Sequence, residues 1–213
     1  STMAAACAMH FASQGKNVLY LNLEKYGSAD TYFAAEGQFD MSDIIFALKS
    51  KKANLSLKLE SGVKQHTSGV NFFSQPKIVL DMMEVNAEDI IRLVSEIKLT
   101  CSYDYIILDL DFGIDKDSLK VYKMAHSLVW VGDGSRESNM KIFRVYNALE
   151  TLEANADSKT TESLCLIYNK FSSKTSRVLE AIDAKNVGGA PKYEHATTAQ
   201  VLQQLSAMDM FDK

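Results

Sequence analysis

The stretch Tyr103-Asp104-Tyr105-Ile106-Ile107-Leu108-Asp109-Leu110-Asp111-Phe112-Gly113 holds the residues best placed for chemistry. Its apolar centre, bounded by charge and glycine, suits a strand buried on both faces of a parallel sheet. Asp109 at the end of that strand would project from the carboxyl edge of the sheet, where open α/β sheets bind ligands. A carboxylate so placed can hold Mg2+ and its water against a phosphate, as nucleotide hydrolases do. Many buried strands also end in Asp without binding anything, so the motif alone leaves both readings open. His10, His66, His126 and His195 are scattered without ligand spacing, which argues against a metal centre built on histidine. Cys7, Cys101 and Cys165 are odd in number, far apart and without C-x-x-C spacing. They read as reduced, buried thiols of a cytosolic protein, not as a disulfide or zinc framework.

These residues need a frame, and length and composition bound it. A chain of 213 residues with 46% hydrophobic and 23% charged residues has ample material for a core and is not a disordered composition. The formal net charge of -4 argues against nucleic-acid binding spread over the whole surface. No apolar run approaches the roughly 18 residues needed to cross a membrane, and no secretory signal is present.

Along the chain, helices and strands alternate. Small residues from Met3 to Ala12 predict a helix that packs closely on a sheet and ends at Gly15. Strands are predicted over 17–23, 69–74, 105–109, 127–131 and 163–168. Helices are predicted over 86–97, capped by Asn86 with Asp89 at its third position, over 116–124, over a run capped by Ser138 with Met140, Phe143, Tyr146, Leu149 and Leu152 at helical spacing, and over 173–184 and 197–206. The segment 49–69 reads as loop with a short helix, and Lys49, Lys51 and Lys52 as a solvated face. Met82, Met83, Met124 and Met140 read as core or interface filler. This alternation implies an α/β fold, a doubly wound, mostly parallel sheet with helices on both faces. A helix-then-strand opening lacks the first strand and phosphate loop of a βαβ unit. The expectation is therefore one domain over residues 1–213, cut at its N-terminus from a longer protein.

Ser1-Thr2 followed by the small-residue helix, Gly15-Lys16 and a strand resembles the sequence just after the lysine of a G-K-[ST]-T phosphate loop. With Tyr103 to Gly113, Asn169-Lys170 and Gly189-Ala190-Pro191, it resembles the deviant-Walker-A P-loop ATPases of the MinD/ParA group, P-loop NTPases of the SIMIBI type. The resemblance runs over nearly the whole chain in the right order. Within the group, His126 to Leu152 and Pro191-Lys192-Tyr193-Glu194-His195-Ala196-Thr197 are similar to the TadZ/CpaE pilus-assembly proteins.

The resemblance implies ATP and Mg2+ as cofactors. Ser1 would ligate Mg2+, and Thr2 would contact the α-phosphate; both could equally be plain helix-cap residues. Asn22-Leu23-Glu24 stands where the group shows Asp-x-Asp. Glu24 would orient the attacking water, or simply face solvent with Asn22, and the departures imply slow hydrolysis. Asp109 would organise Mg2+. Asp111 stands where the group has proline, and a second acid there could tighten Mg2+ binding or repel the γ-phosphate. Gly113 would let backbone approach phosphate closely. Asn169, with Lys170, would read the adenine edge or form a turn, and Pro191 and Lys192 would lie against the base. Ser135-Arg136-Glu137 would border a dimer interface or simply form a turn.

Implied with these is a homodimer with ATP at its interface. It would be cytoplasmic, localise pilus-assembly or other polar proteins to the cell pole at the inner face of the membrane, and carry a receiver-like domain upstream. A catalytically idle nucleotide-binding scaffold and a ParA/MinD-like partitioning or positioning ATPase are the alternatives, with nucleic acid an unexpected partner.

Overall fold

The computed structural model describes residues 1–50, 54–157 and 159–213. Lys51 and Lys52 of the predicted basic face lie outside these. The elements begin with α1 (Thr2–Ser13), β1 (Val18–Asn22), α2 (Met41–Ser50), α3 (Leu55–Gly62), β2 (Lys64–Gln65) and β3 (Asn71–Phe72). Next come α4 (Val79–Met83), α5 (Ala87–Thr100), β4 (Tyr105–Asp109), α6 (Lys116–Tyr122) and β5 (Leu128–Gly132). The chain closes with α7 (Arg136–Glu153), β6 (Leu164–Tyr168), β7 (Lys185–Gly189) and α8 (Thr198–Ser206). The fold is α/β with mostly parallel strands. Its contacts divide between two compact units, 1–111 with 197–208 and 112–196 with 209–213.

In the first unit a four-stranded sheet runs in the order β2-β3-β1-β4. β1 is parallel to β3 and β4, and only the short β2 is antiparallel. Helices cover both faces. Leu19, Leu21 and Leu23 join Ile106, Leu108 and Leu110 in a core with residues of α2, α3 and α5. Alternation turns Val18, Tyr20, Tyr105 and Ile107 to the other face. There Phe11 of α1 stacks on Tyr105 at 4.0 Å between ring centroids. The small residues Ala5, Ala6 and Ala8 of α1 are fully buried, as the close-packing reading requires. Gly15, at φ 78, supplies the left-handed turn between α1 and β1.

The second unit holds a parallel three-stranded sheet, β5-β6-β7. Gly189 stands opposite Tyr168 in that pairing.

Several expectations change. β4 is less covered than predicted: Tyr105 is exposed and Ile106 to Leu108 only half-buried, because β4 is the last strand of its sheet. β5 likewise exposes Val129 and Val131. The cap of α7 is Ser135, whose hydroxyl accepts from the Ser138 N–H, so the helix starts earlier than Ser138. No helix forms over 173–184. Its backbone is engaged by α7 and the loop before it instead: the Arg177 N–H donates to the Gly134 carbonyl, and the Arg177 carbonyl accepts from Asn139 of α7. The glycine-broken segment at 188–189 is part of strand β7. All three cysteines are half-buried and free. Met82 is core, whereas Met83 and Met140 are exposed. No helix among the described residues is long and apolar enough to cross a membrane.

Candidate functional site

The register of β1 on β4 builds the site. Asn22 pairs with Asp109 across the two parallel strands, at their carboxyl ends. Tyr20 lies two residues earlier on the same face of β1. Asp109 and Asn22 are buried, at 6% and 3% exposure, so their polar atoms must find partners inside the protein. The Tyr20 hydroxyl donates to Asp109 Oδ2 at 2.6 Å. Asn22 Nδ2 lies 2.9 Å from the same oxygen and 2.9 Å from Glu24 Oε2. The Ser1 hydroxyl donates to that Glu24 oxygen, and the Ser1 backbone nitrogen lies 3.5 Å from Asp109 Oδ1. Ser1, Glu24 and Asp109 are thus brought together.

This arrangement decides points that sequence left open. Ser1 occupies the N-cap position of α1, yet its side chain makes no capping hydrogen bond and reaches Glu24 instead. Asn22 does not face solvent. Thr2 Oγ1 lies 3.2 Å from the Tyr32 hydroxyl at the start of the same helix. Asp111 accepts the Lys25 N–H at 3.1 Å and so ties the loop after β1 to the end of β4.

Electrostatically the pair of acids is costly. Burial pushes the Asp109 carboxyl above its ordinary value; the Tyr20 and Ser1 side-chain hydrogen bonds pull it back, and the Glu24 charge pushes it up again. Burial, followed by the charge of Asp109, drives the Tyr20 phenol upward, so it remains a donor. A hydroxyl and two carboxylates form a hard oxygen set of the kind that suits Mg2+. Among the described residues no three His, Cys, Asp or Glu gather as a metal cage. Mg2+ at nucleotide sites needs only one or two carboxylates, with the rest of its shell from phosphate and water.

In the second unit the remaining predicted residues gather at the carboxyl ends of β6 and β7. The Asn169 N–H donates to the Gly132 carbonyl at 2.7 Å, and its side chain has no hydrogen-bond partner among the described residues. Lys170 follows in the left-handed region, at φ 58, which sharply redirects the chain after β6. Phe171 N–H donates to the Ala190 carbonyl, and Ala190 N–H to the Tyr168 carbonyl, so Asn169 and Pro191 are held on adjoining loops. Lys192 is exposed, 3.9 Å from the Glu194 carboxylate.

No family model and no curated protein matches this chain. Solved structures do. A ParA family ATPase from Chlorobium tepidum superposes with a TM-score of 0.70 at 20% identity, covering 99% of this chain and 88% of that one. MinD in the MinC:MinD cell division complex of Aquifex aeolicus gives 0.72 at 17% identity, with coverage of 99% and 88%. The chain has the fold of the ParA and MinD ATPases. The septum site-determining protein MinD of Pyrococcus horikoshii, complexed with Mg-ADP, also matches, with a TM-score of 0.68 at 12% identity over 96% of this chain and 88% of that one.

Within the ParA and MinD fold, sequence reasoning missed Tyr20 and the donor role of Asn22. Tyr20 sits in Val18-Leu19-Tyr20-Leu21-Asn22, where an aromatic reads as strand core. The signal available was its alternation with Asn22 and Glu24, which sets three polar side chains along one line.

Proposed function

We propose that this protein is a nucleotide-dependent switch that binds Mg-ATP at the Ser1, Glu24 and Asp109 edge and hydrolyses it slowly. The observation that carries the reading is the buried Asp109 carboxylate at the end of a parallel strand, beside Ser1 and Glu24. Ser1 and Asp109 are the residues to hold Mg2+, which when bound would neutralise phosphate charge. Glu24, already accepting from the Ser1 hydroxyl, is the acid placed to orient a water. Thr2, at the N-terminus of α1, is suited to a phosphate through the helix dipole and free N–H groups. Asn169, with its side-chain amide uncommitted, offers the donor and acceptor that an adenine edge requires; Lys170, Pro191 and Lys192 flank it. The Mg-ADP in one MinD relative of the same fold agrees with this ligand.

In this reading ATP favours a homodimer, and its turnover or release reverses it. The similarity of His126 to Leu152 and of Pro191 to Thr197 to TadZ/CpaE proteins supports pilus-assembly machinery at a cell pole as what the switch positions. A second reading, a nucleotide-bound but idle scaffold, is favoured by Asn22, which cannot act as a base, and by Asp111, which is spent on the Lys25 backbone.

The test uses the full-length natural protein, with Mg-ATP affinity, phosphate release and the dimer fraction by light scattering measured with and without nucleotide. Nucleotide is expected to raise the dimer fraction, with slow phosphate release. Asp109→Ala should weaken Mg2+-dependent binding by at least about tenfold. Binding and dimerisation without phosphate release select the scaffold. A monomer that binds no ATP overturns both.

A further inference from the structure

Resting on the proposed Mg-nucleotide edge, one feature of this chain goes further: the two acids at that edge share a single neutral donor. An asparagine amide nitrogen carries two hydrogens and no more. Asn22 Nδ2 has Asp109 Oδ2 and Glu24 Oε2 each at 2.9 Å and the Tyr20 hydroxyl farther off at 3.1 Å; the two nearer carboxylate oxygens take both hydrogens. Tyr20, fully buried, sends its own hydrogen to Asp109 Oδ2. Oδ2 therefore takes two donors, and Oδ1, on the side of Ser1, is the oxygen left for a cation.

The amide is held in this sense by its surroundings. Its Oδ1 accepts the Glu24 N–H at 3.3 Å. Gly27 closes over it so tightly that a Cβ there would come within 2.0 Å of Asn22 Oδ1. The Tyr20 ring is held edge-on against Phe33, with centroids 5.2 Å apart. An aspartate at position 22 would add a third charge and supply neither hydrogen.

We propose that Asn22 and Tyr20 are positioning residues. They hold Glu24 and Asp109 side by side and fix which Asp109 oxygen meets the cation, and Gly27 is glycine because the Asn22 amide needs the space. The uncharged Asn22 is then a working part of this site, not a lost base. Groups that orient metal-binding carboxylates act on metal affinity, and their removal costs about 10–100-fold.

The experiment measures Mn2+ affinity by electron paramagnetic resonance on the full-length protein with ADP, beside ADP affinity in EDTA. Tyr20→Phe keeps the ring against Phe33 and removes only the hydroxyl. Gly27→Ala presses on the Asn22 amide, and on the Gln75 side chain beside it, while leaving Asn22 and Tyr20 themselves unaltered. Asn22→Leu removes the fork at similar volume. Each is expected to weaken Mn2+ binding about tenfold while leaving metal-free ADP affinity within about twofold. That split separates positioning from general damage, which would lower both. Should the unaltered protein bind Mn2+ with ADP while Tyr20→Phe and Gly27→Ala match it, the positioning role is overturned and the Mg-nucleotide reading stands. If the unaltered protein binds neither, both are overturned.

Discussion

Asp109 is held against its own electrostatic preference. Burial raises its carboxyl, and the nearby Glu24 charge adds to this, so the folded protein favours the protonated acid relative to the unfolded chain. The sign follows. Below the ordinary aspartate value the group is neutral in both states and costs nothing; as pH rises past that value, keeping it ionised in the fold costs stability. Asp109→Asn keeps the size and an acceptor for Tyr20 and Asn22 while removing the charge. In EDTA at neutral pH it should therefore raise stability by about 1 kcal/mol, a gain in Tm of about 2–4 °C, with the gain vanishing below about pH 4. Thermal scans across pH read this directly, and a loss of stability at neutral pH would sink the account. Asp109 was legible as a candidate because an acid that ends an apolar run falls at the carboxyl edge of a parallel sheet. Tyr20 was not, because its hydrogen bond goes to Asp109 in β4, a partner that local pattern does not reveal.

At the scale of elements, the β6–β7 pair shows why some features were legible and others hidden. The capping box of α5, with Asn86 accepting from the Asp89 N–H and Asp89 from the Asn86 N–H, lies within four residues and could be read from them. The strand nature of 185–189 could not: Gly188 and Gly189 read as a break, yet Gly189 is needed by the pairing. A Cβ at Gly189 would come within 2.9 Å of Tyr168 Cβ and 3.2 Å of its carbonyl oxygen. Gly189→Ala should thus force the strands apart beside Asn169, costing about 1–3 kcal/mol. Calorimetry would register this as a lower Tm, and an unchanged Tm would mean that β7 relaxes freely. The missing helix over 173–184 has a similar cause. Its spacing suits a helix, but Gly134 of the loop before α7 and Asn139 of α7 take the Arg177 backbone groups that an intrahelical ladder would use.

For the whole molecule, the alternation of elements announced the α/β class, whereas the pairing of β1 with β3 and β4 and the division of contacts between two units have no local signature. What the proposed switch would position is also a whole-molecule question, and charge bears on it. An ATPase that partitions DNA must gather cations against phosphates, and each neutralised phosphate steepens the loss of affinity with salt. Here the formal net charge is -4. Among the cations, Lys49 is tied to Asp89 at 2.6 Å, Lys58 to Asp43 at 3.7 Å and Lys77 to Asp40 at 3.8 Å. Pairing of this kind spends basic groups on the protein's own acids. With Mg-ATP present, fluorescence anisotropy on a random-sequence duplex should therefore show no binding tighter than about 10 μM at about 0.1 M salt. Micromolar binding with a steep salt slope would instead favour DNA partitioning over the proposed positioning of a protein machine, because only a surface that releases many counterions produces that slope.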